Sequence, residues 1–326
     1  MASHRESFII SMTADMTTDP LPSWNDCAAK RAILAFLPRV TDETSSDYIP
    51  LSDRVAVFDN DGTLWPENPI PFQAAFGFDE LHRRVKAEPE LSASPMVLAA
   101  LECDFGTLLE DGYAGLREVI ALTHAEITTD AFRDAVETWL AVSRHPRFGR
   151  RYDELTYQPM QELLRLLDGR GFKNFIVSGG GVDFMRVWVE RVYGIPHERV
   201  VGSTARPSFE LRDGVPVLTK SLEHLFVNDK HAKPVGIHQF IGRRPIICCG
   251  NSDGDHAMLQ YTTIGNPRPS FGLIVHHTDS EREYAYDAQT KSTGKLVAAL
   301  AEAPARGWHV VDMKRDWKTV FGHTDS

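Results

Sequence analysis

Two carboxylates, Asp59 and Asp61, stand one residue apart where the apolar run Arg54–Asp59 (RVAVFD) breaks into Asp-Asn-Asp-Gly. A short β-branched run of this kind reads as a buried parallel strand passing into a loop. Once the chain leaves the pleat, both carboxylates can point into one cleft, and Gly62 lets backbone N–H groups turn towards an anion. The same string also suits an Asx-type turn that only caps a loop. Two further apolar runs end in polar clusters: Lys173–Val177 in Ser178-Gly179-Gly180-Gly181, and Pro245–Cys249 in Gly-Asn-Ser-Asp-Gly-Asp, residues 250–255. Open α/β sheets bind ligands outside the carboxyl ends of their strands. Three clusters on three strand ends therefore predict one site.

The elements between them follow the α/β alternation such a site requires. A helix is expected over Asn25–Leu37, with Ala28, Ile33, Leu34 and Leu37 on one apolar face and Pro38 as its stop. From about Trp65 to Leu167 the apolar period becomes helical, over Phe78–Val85, Pro95–Leu101, Tyr113–Thr123, Asp130–Val142 and Pro159–Leu167, the last returning to the core. A helix is expected over Val182–Val192 and another over Pro234–Ile241. Short β-like runs lie between 198 and 227, with Asp213-Gly214 as a hairpin turn. Gly272–His276 and His309–Met313 read as two more strands. Strands alternating with helices imply right-handed crossovers and a parallel sheet. Residues 1–23, rich in Ser and Thr, are expected to be poorly ordered.

Composition narrows the function classes. The 326 residues carry a formal net charge of −10, and the lysines and arginines are scattered, which argues against a nucleic-acid partner. No run approaches the roughly 18 apolar residues of a membrane span, and Phe8-Ile9-Ile10 is too short for a signal-peptide apolar region. Of the four cysteines, Cys248 and Cys249 are adjacent inside an apolar run, a spacing that suits neither a simple disulfide nor a zinc knuckle. They read as small buried hydrophobes in a reducing, cytoplasmic protein.

The cluster FDNDGTLW, residues 58–65, resembles the first motif of the haloacid dehalogenase (HAD) superfamily, hhhhDxDGT. The resemblance implies that Asp59 is a nucleophile forming an aspartyl-phosphate and that Asp61 is the general acid/base. A carboxylate at the second position is typical of phosphatase and phosphomutase members. FIVSGGG, residues 175–181, resembles the second motif, implying that Ser178 and Gly179, with Gly62 and Thr63 of the first motif, bind phosphate. Lys233 within DKHAKPVGI resembles the motif lysine that neutralises phosphate and nucleophile, with Lys220 and Lys230 as rivals. CCGNSDGDHAML, residues 248–259, resembles the acidic fourth motif. It implies a Mg2+ site built from Asp59, Asp61 and a side chain of this loop, Asn251 or Asp255, with Asp253 as an alternative. Asn251 stands where the phosphoserine phosphatase-like branch has Asp.

The resemblance thus implies a Rossmann-like parallel sheet, formed by 24–64 and 160–326, with a mostly helical cap of the C1 type inserted at 65–159 after the first catalytic strand. It implies a Mg2+-dependent hydrolase of a small phosphorylated metabolite; a phosphomutase or a catalytically weakened phosphate-binding module are the alternatives. Trp65 and Glu67, just after the first motif, are candidate substrate contacts and equally plain packing residues. His276 and His277 follow a strand and read as a structural pair.

Overall fold

The computed structural model describes residues 19–322 apart from 103, 105, 109–117, 124–126, 222, 291 and 292. Eight strands form within them: β1 (Val55–Phe58), β2 (Lys173–Gly181), β3 (Val200–Ser203), β4 (Ser208–Arg212), β5 (Val215–Thr219), β6 (Ile247–Gly250), β7 (Phe271–His276) and β8 (His309–Asp312). Six of them make one parallel sheet in the order β3-β2-β1-β6-β7-β8. The connection order reverses between β1 and β6, so the switch point of this α/β sheet falls beside the end of β1. β4 and β5 form a separate antiparallel hairpin whose turn, Asp213-Gly214, has both φ values positive, at 52° and 79°.

Alternation along the strands covers both faces of the sheet. Val55 and Val57 join Cys248, Met258, Leu259 and Ile274 on one side. Ala56 and Phe58 join Ile33, Phe36, Leu163 and Cys249 on the other. Burial on two faces is what a parallel sheet demands, and the adjacent cysteines serve it from opposite sides. Cys27, Cys248 and Cys249 are all buried free thiols; Cys103 lies outside the described residues.

Between β1 and β2 the chain makes helices Phe72–Ala87, Pro95–Leu101 and Thr129–Val142. Ser94 caps the second by accepting from the N–H groups of Met96 and Val97, and Thr128 caps the third by accepting from that of Ala131. The excursion is pinched at its base, where the N–H of Tyr157 donates to the Leu64 carbonyl at 2.9 Å. Of the expected helix over 113–123, residues 118–123 are helical and 113–117 lie outside the described residues.

Several expectations are corrected. The first helix runs from Ala28 to Thr41 with Pro38 inside it, because a proline in the last turn forfeits only one backbone bond. The expected helix 182–192 is two, Val182–Arg186 and Val189–Tyr193. The break turns Trp188, fully buried, into the core. The helix near 234–241 starts as Ala232–Gly236 and widens into a π turn over Ile237–Ile241. Residues 19–23 are not loose: Leu21 is fully buried, and the N–H of Ser23 donates to Glu162 at 2.9 Å.

Candidate active site

The end of β1 and the loop after β6 are tied together by one lysine. Lys233, in the short Ala232–Gly236 helix, places Nζ 2.6 Å from Asp59 Oδ1 and 2.6 Å from Asp255 Oδ1. It is 2 % exposed. The rival lysines are elsewhere: Lys230 is exposed, and Lys220 is bonded to Asp183. Burial works against the Lys233 ammonium, but Asp255 and Asp59 hold its pKa above the usual lysine value. Asp59 is pushed well up by burial and then by the charges of Asp255 and Asp61, with Lys233 opposing them. Asp59 Oδ2 accepts no hydrogen bond from any described residue.

Asp61 lies across the loop from this pair. Trp65 Nε1 donates to its Oδ1 at 2.7 Å, leaving Oδ2 turned towards β2. A methyl group built on Gly180 would sit 3.3 Å from Ser178 Oγ, 3.5 Å from Gln73 Oε1 and 3.6 Å from Asp61 Oδ2. Three polar atoms from three elements thus surround one point, which the bare glycine leaves open. Burial raises the Asp61 carboxyl to about 6, against the Trp65 bond and Lys233. A carboxyl near that value suits proton transfer in both directions at neutral pH. Gln73, which also accepts from the Gly181 N–H at 2.6 Å, was not singled out in the sequence. A lone glutamine on an amphipathic helix carries no signal that it reaches a loop 108 residues away.

Other expected site residues have different work. The Gly62 and Thr63 N–H groups donate to the carbonyls of Trp65 and Asn60, inside the turn, so neither faces an anion. Gly62, at φ +77°, is required because a Cβ would meet Asn251 Nδ2 at 2.1 Å and Glu67 Oε1 at 2.4 Å. Gly179 is exposed where the β2–β3 register shifts. Asp255 is withdrawn as a metal ligand: its Oδ1 meets Lys233, and its Oδ2 accepts from the N–H groups of Asn251 and Ser252 at 3.0 and 3.1 Å. Asp253 turns its Oδ1 to the N–H groups of Val297 and Ala299, away from the contact between Lys233 and Asp59.

Trp65 is a core residue, 1 % exposed and stacked on Trp188 at 4.1 Å. Glu67 is buried at 3 % exposure and turned away from solvent. Its Oε1 accepts from Asn251 Nδ2 at 2.6 Å and from the Tyr286 hydroxyl at 2.8 Å; its Oε2 accepts from Thr293 at 2.7 Å. Asn251 completes a bridge to the first loop, its Oδ1 accepting from Thr63 Oγ1 at 3.1 Å. His277 is also structural: it stacks on Tyr286, and its Nε2 donates to the Gly62 carbonyl at 2.7 Å, while Nδ1 faces Glu283. His276 sits 3.8 Å from Asp287. The buried amide of Asn228 steadies β2 by donating to the Ser178 carbonyl at 3.1 Å.

A model of the haloacid dehalogenase-like hydrolase family matches residues 56–260, a span that contains Asp59, Asp61, Ser178, Lys233, Asn251 and Asp255. The chain belongs to the haloacid dehalogenase-like hydrolases. Within this family's fold, a protein of unknown function from Anaerococcus prevotii DSM 20548 shares 14 % identity at a TM-score of 0.55, covering 91 % of this chain and 96 % of that one. A second protein of unknown function, from Bordetella pertussis Tohama I, shares 15 % identity at a TM-score of 0.48 over 80 % and 99 % of the two chains. A phosphoserine phosphohydrolase-like protein from Francisella tularensis subsp. tularensis SCHU S4 shares 16 % identity at a TM-score of 0.40 over 78 % and 98 %. No curated protein matches the sequence.

A hard dication suits the donor set of this HAD-like hydrolase. Asp59 and Asp255 share the single ammonium of Lys233, Asp61 and Glu67 follow β1 in the same loop, and three of these four carboxyl groups are buried. That leaves an excess of negative charge in a dry site. The oxygens not committed elsewhere include Asp59 Oδ2, the Asp61 carbonyl and the second lone pair of Asn251 Oδ1. Mg2+ takes oxygen donors and retains several waters, so this short set is sufficient.

Proposed function

We propose that this hydrolase cleaves the phosphomonoester of a small metabolite through an aspartyl-phosphate on Asp59, with Mg2+ as its cofactor. The observation that carries the reading is the placement of Asp59 against Lys233 at 2.6 Å, with Asp61 and Ser178 converging on the open point at Gly180. Asp59 Oδ2 attacks phosphorus as the bond to the leaving alkoxide breaks, and Asp61 supplies the proton that makes the alkoxide an alcohol. Water then attacks the phosphorus of the aspartyl-phosphate and yields its proton to Asp61, releasing phosphate and restoring Asp59. Lys233 offsets the charge of phosphate and nucleophile, and the Ser178 hydroxyl donates to a phosphate oxygen. Mg2+, held by Asp59, the Asp61 carbonyl and Asn251, would neutralise the repulsion between nucleophile and substrate.

In this reading the core comprises 24–64 and 160–326, and the helices within 65–159 act as a cap. The bond between Tyr157 and Leu64 supports a boundary at that neck. Ser178 and Lys233 are buried, so the substrate reaches them when the cap helices part from the core, and water is excluded when they close. Buried free thiols at Cys27, Cys248 and Cys249 support a reducing, cytoplasmic setting. No helix of the described residues is long and apolar enough to cross a membrane.

The test is phosphate release from p-nitrophenyl phosphate and a panel of small phosphomonoesters, in Mg2+ and in EDTA, without a bisphosphate activator. Release by the natural enzyme in Mg2+ alone, lost in Asp59→Asn with the fold unchanged by circular dichroism, is expected. Appreciable turnover by Asp59→Asn overturns covalent catalysis. No release from any ester overturns the phosphomonoesterase reading in favour of a mutase or a phosphate-binding role.

A further inference from the structure

The loop after β6 supplies a neutral amide, Asn251, where it faces the first catalytic loop, and a buried carboxylate from another part of the chain is bonded to that amide. Glu67 Oε1 lies 2.6 Å from Asn251 Nδ2. Nδ2 faces Glu67, and Oδ1 faces Thr63 and the catalytic loop, the orientation that an ionised Glu67, which only accepts, requires; burial raises its carboxyl to about 7, so a nearby cation is what would hold it ionised.

The surroundings of Glu67 are built for a carboxylate. Its three direct partners, Asn251, Tyr286 and Thr293, are all neutral donors. Two glycines from separate loops make room for it, both in the left-handed region. A Cβ on Gly62 would lie 2.4 Å from Glu67 Oε1, and one on Gly294, at φ +86°, would lie 2.3 Å from the same atom. No Lys or Arg bonds to it among the described residues, and His277 is the basic side chain that favours its charged form. Burying a charge with no adjacent cation is unfavourable unless a further charge offsets it. Through Asn251 that carboxylate adjoins the oxygens assigned to Mg2+.

We propose that Glu67 and Asn251 act as one unit. Glu67 is a positioning residue that orients and polarises the Asn251 amide and supplies, one hydrogen bond away, the negative charge that the loop after β6 lacks. The proposal rests on the Mg2+ assignment above and goes beyond it in giving Glu67 a role towards the metal rather than towards the substrate. Orienting partners of metal ligands typically change affinity by about 10–100-fold when removed.

The unit makes a reciprocal prediction. Asn251→Asp on its own sets two carboxylates in hydrogen-bonding contact, a like-charge pair that the fold resists. It is therefore expected to lower the melting temperature in EDTA and not to tighten Mg2+ binding. Glu67→Gln, whose amide can turn either end to Asn251, is expected to weaken Mg2+ binding about tenfold or more. The double variant Glu67→Gln/Asn251→Asp moves the charge across the hydrogen bond and is expected to recover Mg2+ affinity to within about threefold of the natural enzyme, a margin well inside that range.

The measurement is the Mg2+ dissociation constant of the four proteins by calorimetry, with melting in EDTA as the control for folding. Tighter Mg2+ binding by Asn251→Asp alone overturns the unit, and that variant decides the matter even if Glu67→Gln fails to fold. Equal affinities in the natural enzyme and Glu67→Gln also overturn it while leaving the phosphatase assignment standing. No Mg2+ binding by the natural enzyme overturns the metal assignment and this proposal together.

Discussion

In the proposed mechanism Lys233 serves chemistry and folding at once. Its ammonium is buried between Asp59 and Asp255, so removing it leaves two carboxylates facing each other without a cation. Breaking a buried ion pair from one side usually costs about 3–5 kcal/mol. Lys233→Met, which keeps most of the volume, is expected to lose about that much stability in urea denaturation in EDTA, with part restored by Mg2+. Turnover should fall to background, because the phosphate loses its cationic partner. A stable Lys233→Met that still releases phosphate would remove Lys233 from the mechanism. That Asp59, Asp61, Ser178 and Lys233 lie near one another was legible in the sequence, since each stands in a recognisable run, although Ser178 lies inside β2, which continues to Gly181, and not at its end. The direction of individual hydrogen bonds was not. Gly62 and Thr63 have the residue types of an anion-binding turn, yet their N–H groups close that turn on itself. Asp255 and Asn251 read as interchangeable metal ligands until the 2.6 Å contacts show that one holds Lys233 and the other Glu67.

At the scale of elements, the helix Phe72–Ala87 brings Gln73 of the inserted segment to Gly181 and to the point beside Asp61 and Ser178. Its apolar face, with Phe72 and Phe76, packs on Trp65 and Phe184 at 4.5 and 5.7 Å between ring centres. That packing fixes where Gln73 emerges. The Gln73 amide accepts from Gly181 and borders the point shared by Ser178 and Asp61, where the leaving group of a phosphomonoester would lie. Gln73→Ala is therefore expected to raise KM and reorder preference among the ester panel by up to about fivefold, the worth of a hydrogen bond of about 1 kcal/mol. Stability should change little, since the residue is only half-buried. A uniform fall in kcat for every ester, with KM unchanged, would contradict a role in substrate choice. The helix itself was expected only from Phe78, because its first turn follows prolines and is held by aromatic contacts rather than by local propensity. Elements with a strong period or a capping residue, such as Pro95–Leu101 after Ser94, fell where the sequence placed them. The π turn at Ile237–Ile241 and the break at Trp188 depend on tertiary burial, which no local pattern records.

On the scale of the whole molecule, the sheet is closed at one end by the two ends of the described chain. Trp24 and Trp317 pack edge to face at 6.1 Å, Trp24 Nε1 donates to the Pro159 carbonyl, and Trp317 lies 5.3 Å from Tyr157. Tyr157 in turn holds Leu64 at the neck of the insertion. Arg282 adds a clamp, donating to the carbonyls of Met313, Lys314, Trp317 and Lys318. The tail beyond β8 is thus part of the core, which the reading of His309–Met313 as a last strand did not extend to. Trp317 is 1 % exposed, and truncating a buried tryptophan usually costs about 3–5 kcal/mol. Trp317→Ala is expected to lose that much stability in urea denaturation. Its kcat/KM, assayed well below the melting temperature, should stay within about threefold of the natural enzyme, because no atom of Trp317 bonds to a catalytic group and a threefold change is under 1 kcal/mol. Large loss of activity with little loss of stability would mean instead that the tail sets the geometry of the neck. The insertion would then be coupled to the chain terminus and not only to the sheet beneath it.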